Sequence, residues 1–170
     1  MKLAVFAFLG SLVHVASLGA QGSATESTES CFLTPAEGEA ASGEKVLGRP
    51  RGQLRDLMGL KSYRCRYRGD NFTVEVSLES GRSREDLQLY LKMLGEVAQG
   101  ATKNSLQPVK GLGDQAWWGQ INPTNGSLHI VRGTDVLTVQ TYGKAPGAGT
   151  QEKTRALADK AFAAYVKTRK

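Results

Sequence analysis

Metal-binding and nucleophilic side chains are scarce in this 170-residue chain, which has two cysteines and two histidines. His14 falls in an apolar leader, so His129 is the sole histidine beyond it. A zinc site draws three or four ligands from Cys, His and carboxylate. With Cys31 and Cys65 paired to each other, that set cannot be filled, and no metal or other cofactor is implied. A Ser-His-Asp arrangement around His129 is compatible with composition. Yet no nucleophile-elbow pattern accompanies it and no serine stands out. The acids Glu75, Glu79 and Asp114 are scattered over strands and turns, with nothing to pair them as general acid and base. Beyond the leader, no apolar run approaches the roughly 20 residues that span a bilayer. The glycine-rich stretch 143–149 lacks the glycines-then-Lys-Ser/Thr order of a phosphate-binding loop and reads as a connector.

What is present begins with the leader. Lys2 precedes an apolar stretch from Leu3 to Leu18, followed by small residues around Ala20, Gly22 and Ala24. Residues 1–22 therefore read as an export signal, with no cysteine placed to carry a lipid. The expected location is periplasmic or extracellular, without stable membrane insertion once the signal is cut. An oxidising compartment makes a Cys31–Cys65 disulfide the default. Two glycosylation sequons, at Asn71 and Asn125, matter only in a host with that machinery.

Charge is unevenly spread within a net of +6. Residues 26–44 hold five acids and no base, whereas residues 45–68 hold eight bases against Asp56. The simplest expectation is mutual pairing of the two blocks, brought together by the disulfide, with weak and salt-sensitive binding to acidic polymers. The alternative is a binding surface for an acidic polymer through residues 45–68. An exported chain gives no reason to expect nucleic acid.

Local patterns give a coarse architecture. Residues 23–30 read as a flexible lead-in, and residues 31–170 as one domain. Thr34-Pro35-Ala36-Glu37 is a capping box with proline at the first helical position, opening a short helix that ends near Gly43. Residues 44–60 resist assignment; Gln53 to Leu60 suits a helical turn after a loop at Gly48, Pro50 and Gly52. Then Tyr63, Cys65 and Tyr67 alternate with Arg64, Arg66 and Arg68. Across a two-residue Gly69-Asp70 loop, Phe72, Val74, Val76 and Leu78 alternate with polar residues. That loop sets Cys65 opposite Val74 and Arg64 opposite Glu75.

Ser83 caps a helix to about Gln99, whose stripe is Leu87, Tyr90, Leu91, Leu94 and Val97. A strand over 115–121 carries Trp117 and Trp118. A hairpin around Gly133-Thr134 pairs Arg132 with Asp135, and a last helix spans about 151–167. The class is α+β: a mostly antiparallel sheet of about five strands covered by helices, in the order α-β-β-α-β-β-β-α. Adjacent tryptophans on a strand face opposite sides. Either one is an exposed contact for a ligand, or helices cover both faces. Arg64, Arg66 and Arg68 form a ridge that is either charge-paired with Glu75 and Glu79 or a ligand contact. His129, opposite Thr138, reads as a surface or half-buried residue.

The segments Cys31-Phe-Leu-Thr-Pro-Ala-Glu37 and Pro108-Val-Lys-Gly-Leu-Gly-Asp-Gln-Ala-Trp-Trp118 resemble a group of uncharacterised bacterial secreted or lipoprotein domains. Those domains share a C-x-L-L-T-x-A-E-V start, a second cysteine followed by an aromatic residue, and a V-x-G-L-G-D-x-A-x-W segment. The resemblance spans residues 31–168 and departs at Gly38, where the pattern has an aliphatic residue. It implies export, the disulfide and an α+β sandwich of the PsbP-like kind, and no catalytic activity. The sequence thus points to an exported binding or accessory domain, partnered by an envelope protein or polysaccharide. A small envelope hydrolase using His129 and an acidic-polymer binder are the other readings.

Overall fold

The computed structural model describes residues 25–27, 31–57, 60–102, 106–144 and 150–169. The 1–22 leader and the 143–150 connector's centre lie outside them. Eleven elements follow in order: β1 (Thr25–Ser27), α1 (Pro35–Ser42), β2 (Arg51–Leu57), β3 (Leu60–Arg68), β4 (Phe72–Ser80), α2 (Arg84–Thr102), β5 (Gln107–Pro108), β6 (Gln115–Asn122), β7 (Asn125–Arg132), β8 (Asp135–Gly143) and α3 (Gln151–Thr168). All eight strands join one antiparallel sheet ordered β1-β2-β3-β4-β8-β7-β6-β5. The class is α+β, but the sheet is wider than the five strands expected.

The extra strands come from segments with weak local signals. Arg51–Leu57 is the strand β2, not a loop and helical turn, because β3 pairs with it from Arg66 to Leu60. Part of the expected flexible lead-in, Thr25–Ser27, pairs with Leu54–Gly52 as an edge strand. The two-residue Pro108 strand pairs only with the two tryptophans.

The β3–β4 hairpin keeps its expected faces but shifts by two residues. Cys65 opposes Val76, Tyr67 opposes Val74, and Arg66 rather than Arg64 opposes Glu75. Hydrogen bonding around the turn explains the shift. Gly69 N–H donates to the Phe72 carbonyl, Leu47 N–H to the Arg68 carbonyl and Asn71 N–H to Glu44. Those bonds close the hairpin at Gly69 and Phe72, so its two-residue loop is Asp70-Asn71 rather than Gly69-Asp70. A shift by two preserves the pleat, so every side chain stays on its side. The β7–β8 hairpin has the expected pairs, Arg132 with Asp135 and His129 with Thr138.

Two helices cover one face of the sheet and the third covers part of the other. On the first face Tyr63, Cys65, Tyr67, Val74, Val76, Leu128, Ile130 and Val139 pack with Leu157, Ala158, Ala161 and Tyr165 of α3. Thr154 of α3 is fully buried there, its hydroxyl 2.9 Å from that of Thr141. On the second face, Leu87, Tyr90 and Leu91 of α2 meet Trp117, Val131 and Val136. Among the described residues, no helix is long and apolar enough to cross a membrane.

The α1 end is held by several local devices. Thr34 and Glu37 form the capping box, and Gly43 ends the helix with φ of 76°, a left-handed conformation that glycine adopts without steric cost. Gly38 is buried because a Cβ there would lie 3.3 Å from Val46 and 3.7 Å from Tyr67. Cys31 and Cys65 form a disulfide with Cα atoms 5.7 Å apart. Beside it the Tyr67 hydroxyl accepts from Leu33 N–H at 2.8 Å and donates to the Leu33 carbonyl at 2.9 Å. Burial raises the Tyr67 pKa well above the usual tyrosine value, with the Leu33 backbone hydrogen bond opposing. Changing Tyr67 to Phe should cost about 2 kcal/mol, because two buried backbone groups lose their partner. Urea unfolding measures this directly; an unchanged midpoint would mean water replaces the hydroxyl.

Candidate functional site

Strand parity builds the most distinctive surface. Gly52 lies against the Tyr63 ring on the α1–α3 side, so Arg51, Gln53 and Arg55 point to the opposite face. Arg64, Arg66 and Arg68 alternate with the buried Tyr63, Cys65 and Tyr67 and share that face. The registers align these into rows across the sheet. One row reads Arg51, Arg66, Glu75, Gln140, Ser127, and the next Arg68, Thr73, Tyr142, Asn125. Contacts of α2 fall on Trp117, His129, Val131 and Val136, away from both rows.

Electrostatics on this face are only partly balanced. Glu75, 6 % exposed, receives Arg64 Nε at 3.1 Å on one oxygen and Arg66 Nη2 at 2.7 Å on the other. Arg66 Nε adds a second bond at 3.0 Å. One carboxylate thus serves two guanidinium groups. Arg51 and Arg68 are exposed and form no ion pair among the described residues. Arg51 stands directly opposite Arg66, a like-charge cross-strand pair that disfavours the fold. The ridge is therefore charge-paired at Arg64 and Arg66 and in excess elsewhere.

The expected pairing of the acidic block with the basic block does not occur among the described residues. Glu37 binds the Thr34 backbone N–H, Glu39 that of Val46 and Glu44 that of Asn71. The capping bonds hold the Glu37 carboxyl below its ordinary pKa. Helix α1 sits on the core face, whereas the strand arginines point to the other side of the sheet. The disulfide thus brings Glu37, Glu39 and Glu44 close to the basic block without bringing them face to face with its arginines.

The tryptophans divide between the faces as alternation requires. Trp118 lies in the main core at 8 % exposure, and Trp117 is half-buried under α2. The main core encloses Trp118 and α2 covers Trp117, so neither is an open ligand platform. The indole N–H of Trp118 has no hydrogen-bond partner among the described residues. The exposed ring on the arginine side is Tyr142, 37 % exposed, whose hydroxyl donates to Gln140 Oε1 at 2.6 Å. Burial and the nearby Glu75 carboxylate raise its pKa, with Arg64 and Arg66 opposing. Sequence reasoning missed Tyr142. Its alternation with Gln140 was visible, but its neighbourhood depends on the pairing of β4 with β8.

His129 is buried at 4 % exposure rather than lying at the surface. Its Nδ1 is 3.3 Å from the Tyr90 hydroxyl and 3.2 Å from that of Thr138, and Nε2 is 3.1 Å from Ser127 Oγ. Ser127 in turn donates to the Gly119 carbonyl at 3.4 Å. That direction makes Nε2–H the donor to Ser127, the opposite of a base withdrawing a serine proton. Among the described residues no carboxylate contacts the ring, and burial lowers its pKa to about 4. The imidazole is a neutral, hydrogen-bonded strut between α2 and the sheet. Among the described residues no three Cys, His, Asp or Glu side chains gather as a metal site.

Near the β7–β8 turn lies a shallow cleft whose carboxylates are both occupied. Asp114 accepts from Gly133 N–H, and Asp135 accepts from Tyr165 and Arg169. No protein-family model matches the chain, and comparison with curated proteins and with solved structures finds no match.

Proposed function

We propose that the chain is an exported, disulfide-stapled binding domain without catalytic machinery, which holds an acidic polymer on the arginine face of β2, β3 and β4. The observation that carries this reading is the Arg51–Arg66 pair: like charges directly opposed, with one carboxylate shared between Arg64 and Arg66. A fold that keeps such a pair exposed gains when an anion arrives, and arginine suits carboxylate, sulfate and phosphate through paired N–H donors. Export rests on the apolar leader of residues 1–22 and on the oxidised cysteine pair. Kinship with the bacterial secreted domains of PsbP-like form rests on the two motif segments.

Elution from a heparin column tests the binding. The wild-type mature domain should be retained beyond physiological ionic strength. Replacing Arg51, Arg66 and Arg68 with glutamine should bring elution below it. For phosphate polymers each neutralised charge contributes about 0.7–0.9 to the slope of log K against log salt, so the triple variant should lose a slope of about 2–3. Equal retention of the two proteins, or no retention of the wild type, would overturn the reading.

A further inference from the structure

We infer that the polymer is an acidic polysaccharide lying across the strands, its acidic groups on Arg51, Arg66 and Arg68 and a sugar ring on Tyr142. This rests on the polymer-binding reading and specifies its ligand. The row Arg68, Thr73, Tyr142, Asn125 places a guanidinium, a hydroxyl, an exposed aromatic ring and an amide in succession. Arg68 and Tyr142 are two strand spacings apart, about 10 Å. The parallel row adds Arg66 and Gln140, the Glu75 carboxylate between them being buried and engaged by Arg64 and Arg66. Planar amide and guanidinium donors beside one aromatic face match a sugar bearing carboxylate or sulfate.

The same composition disfavours other polyanions. A single-stranded nucleic acid gains affinity from successive bases stacked on successive aromatic rings. In these two rows Tyr142 is the one aromatic side chain. An anionic bilayer would draw on apolar anchors beside the bases. Neither row contains one: of the exposed apolar side chains Leu89 and Met93 belong to α2, Leu54 lies on the α1–α3 side of β2, and Leu47 stands alone beside Arg68. What remains is a flat polar strip with charge at one end and a platform at the other.

Calorimetric titration of the mature domain with a uronic-acid oligosaccharide and with inorganic polyphosphate of equal charge separates these possibilities. Tyr142→Ala should weaken the oligosaccharide about 5–10-fold, with its salt slope and the polyphosphate affinity unchanged. Tyr142→Phe, which keeps the ring, should restore most of the loss. If Tyr142→Ala changes neither affinity, the sugar assignment fails while binding by charge stands. Single-stranded DNA binding more tightly than the oligosaccharide at equal charge would also overturn it. If neither probe binds the wild type, the polymer-binding reading itself falls.

Discussion

Replacing Cys31 and Cys65 together with alanine should lower the stability of the mature domain by about 3.8 kcal/mol. The bridge closes a loop with sequence separation 34, and the figure follows from the chain entropy which that closure removes from the unfolded state. The enclosed segment contains α1, β2 and most of β3, elements with modest apolar content of their own. Leu33 and Val46, both buried, are the apolar pins between the helix and the strands. Without the bridge, α1 is held by the Tyr67–Leu33 hydrogen bonds, these two side chains, the Phe32–Tyr63 ring contact and its packing on α3. Thermal unfolding should shift down by about 10–15 °C. A thiol titration of denatured, unreduced protein should find no free thiol. An unchanged melting point in the double variant would mean that the first 30 residues of the domain are held by packing alone.

Acid should destabilise the protein through His129. Burial lowers its folded-state pKa to about 4 from the ordinary 6.5, so the unfolded chain takes up a proton that the folded chain refuses. The stability this histidine contributes is present in full above about pH 6.5. It is lost at about 1.4 kcal/mol per pH unit as pH falls through 6.5 towards 4, about 3 kcal/mol in all. The strut itself explains why. Tyr90, Thr138 and Ser127 surround the ring with hydroxyl groups, and no carboxylate among the described residues stabilises an imidazolium. His129→Gln should be less stable at neutral pH and should lack this part of the pH dependence. The difference between the two proteins' urea midpoints, followed from pH 7.5 to 4, isolates the histidine from carboxylates that titrate in the same range. Parallel curves for the two proteins would show that the ring is solvated and titrates normally.

Features set by neighbours in the chain were legible from sequence. The Thr34–Glu37 box, the Gly43 stop, the Ser83 cap and the β7–β8 turn all rest on residues within four positions of one another. The disulfide was legible because chemistry left the two thiols few alternatives. Features set by distant pairing were not. Strand β2 contains Gly52 and follows Pro50, and only β3 on one side and β1 on the other make it extended. The two-residue register error had a similar origin, since Leu47 and Glu44 reach the turn from outside the hairpin. His129 looked superficial because alternation placed it on the polar face, and nothing local announces that α2 covers that part of the face.

The candidate site shows the same division. Arg64, Arg66 and Arg68 were visible as a ridge, whereas Arg51 joins them only through the β2–β3 register. Block charges suggested neutralisation because 26–44 and 45–68 are adjacent in sequence. The sheet separates the α1 acids from the arginines: α1 lies on one side and the arginines point to the other. Tyr142 is about 75 residues from the ridge and enters the site solely through the β4–β8 pairing.

The most direct measurement of the arginine-face reading is an NMR titration of the isotope-labelled mature domain with a uronic-acid oligosaccharide. Shift changes should concentrate on the Arg51, Arg66 and Arg68 side-chain Nε–H signals and on backbone amides of β2, β3 and the Tyr142 end of β8. They should diminish as salt is raised. Changes centred instead on the Asp114–Asp135 cleft or on α2, or no saturable change at all, would contradict it.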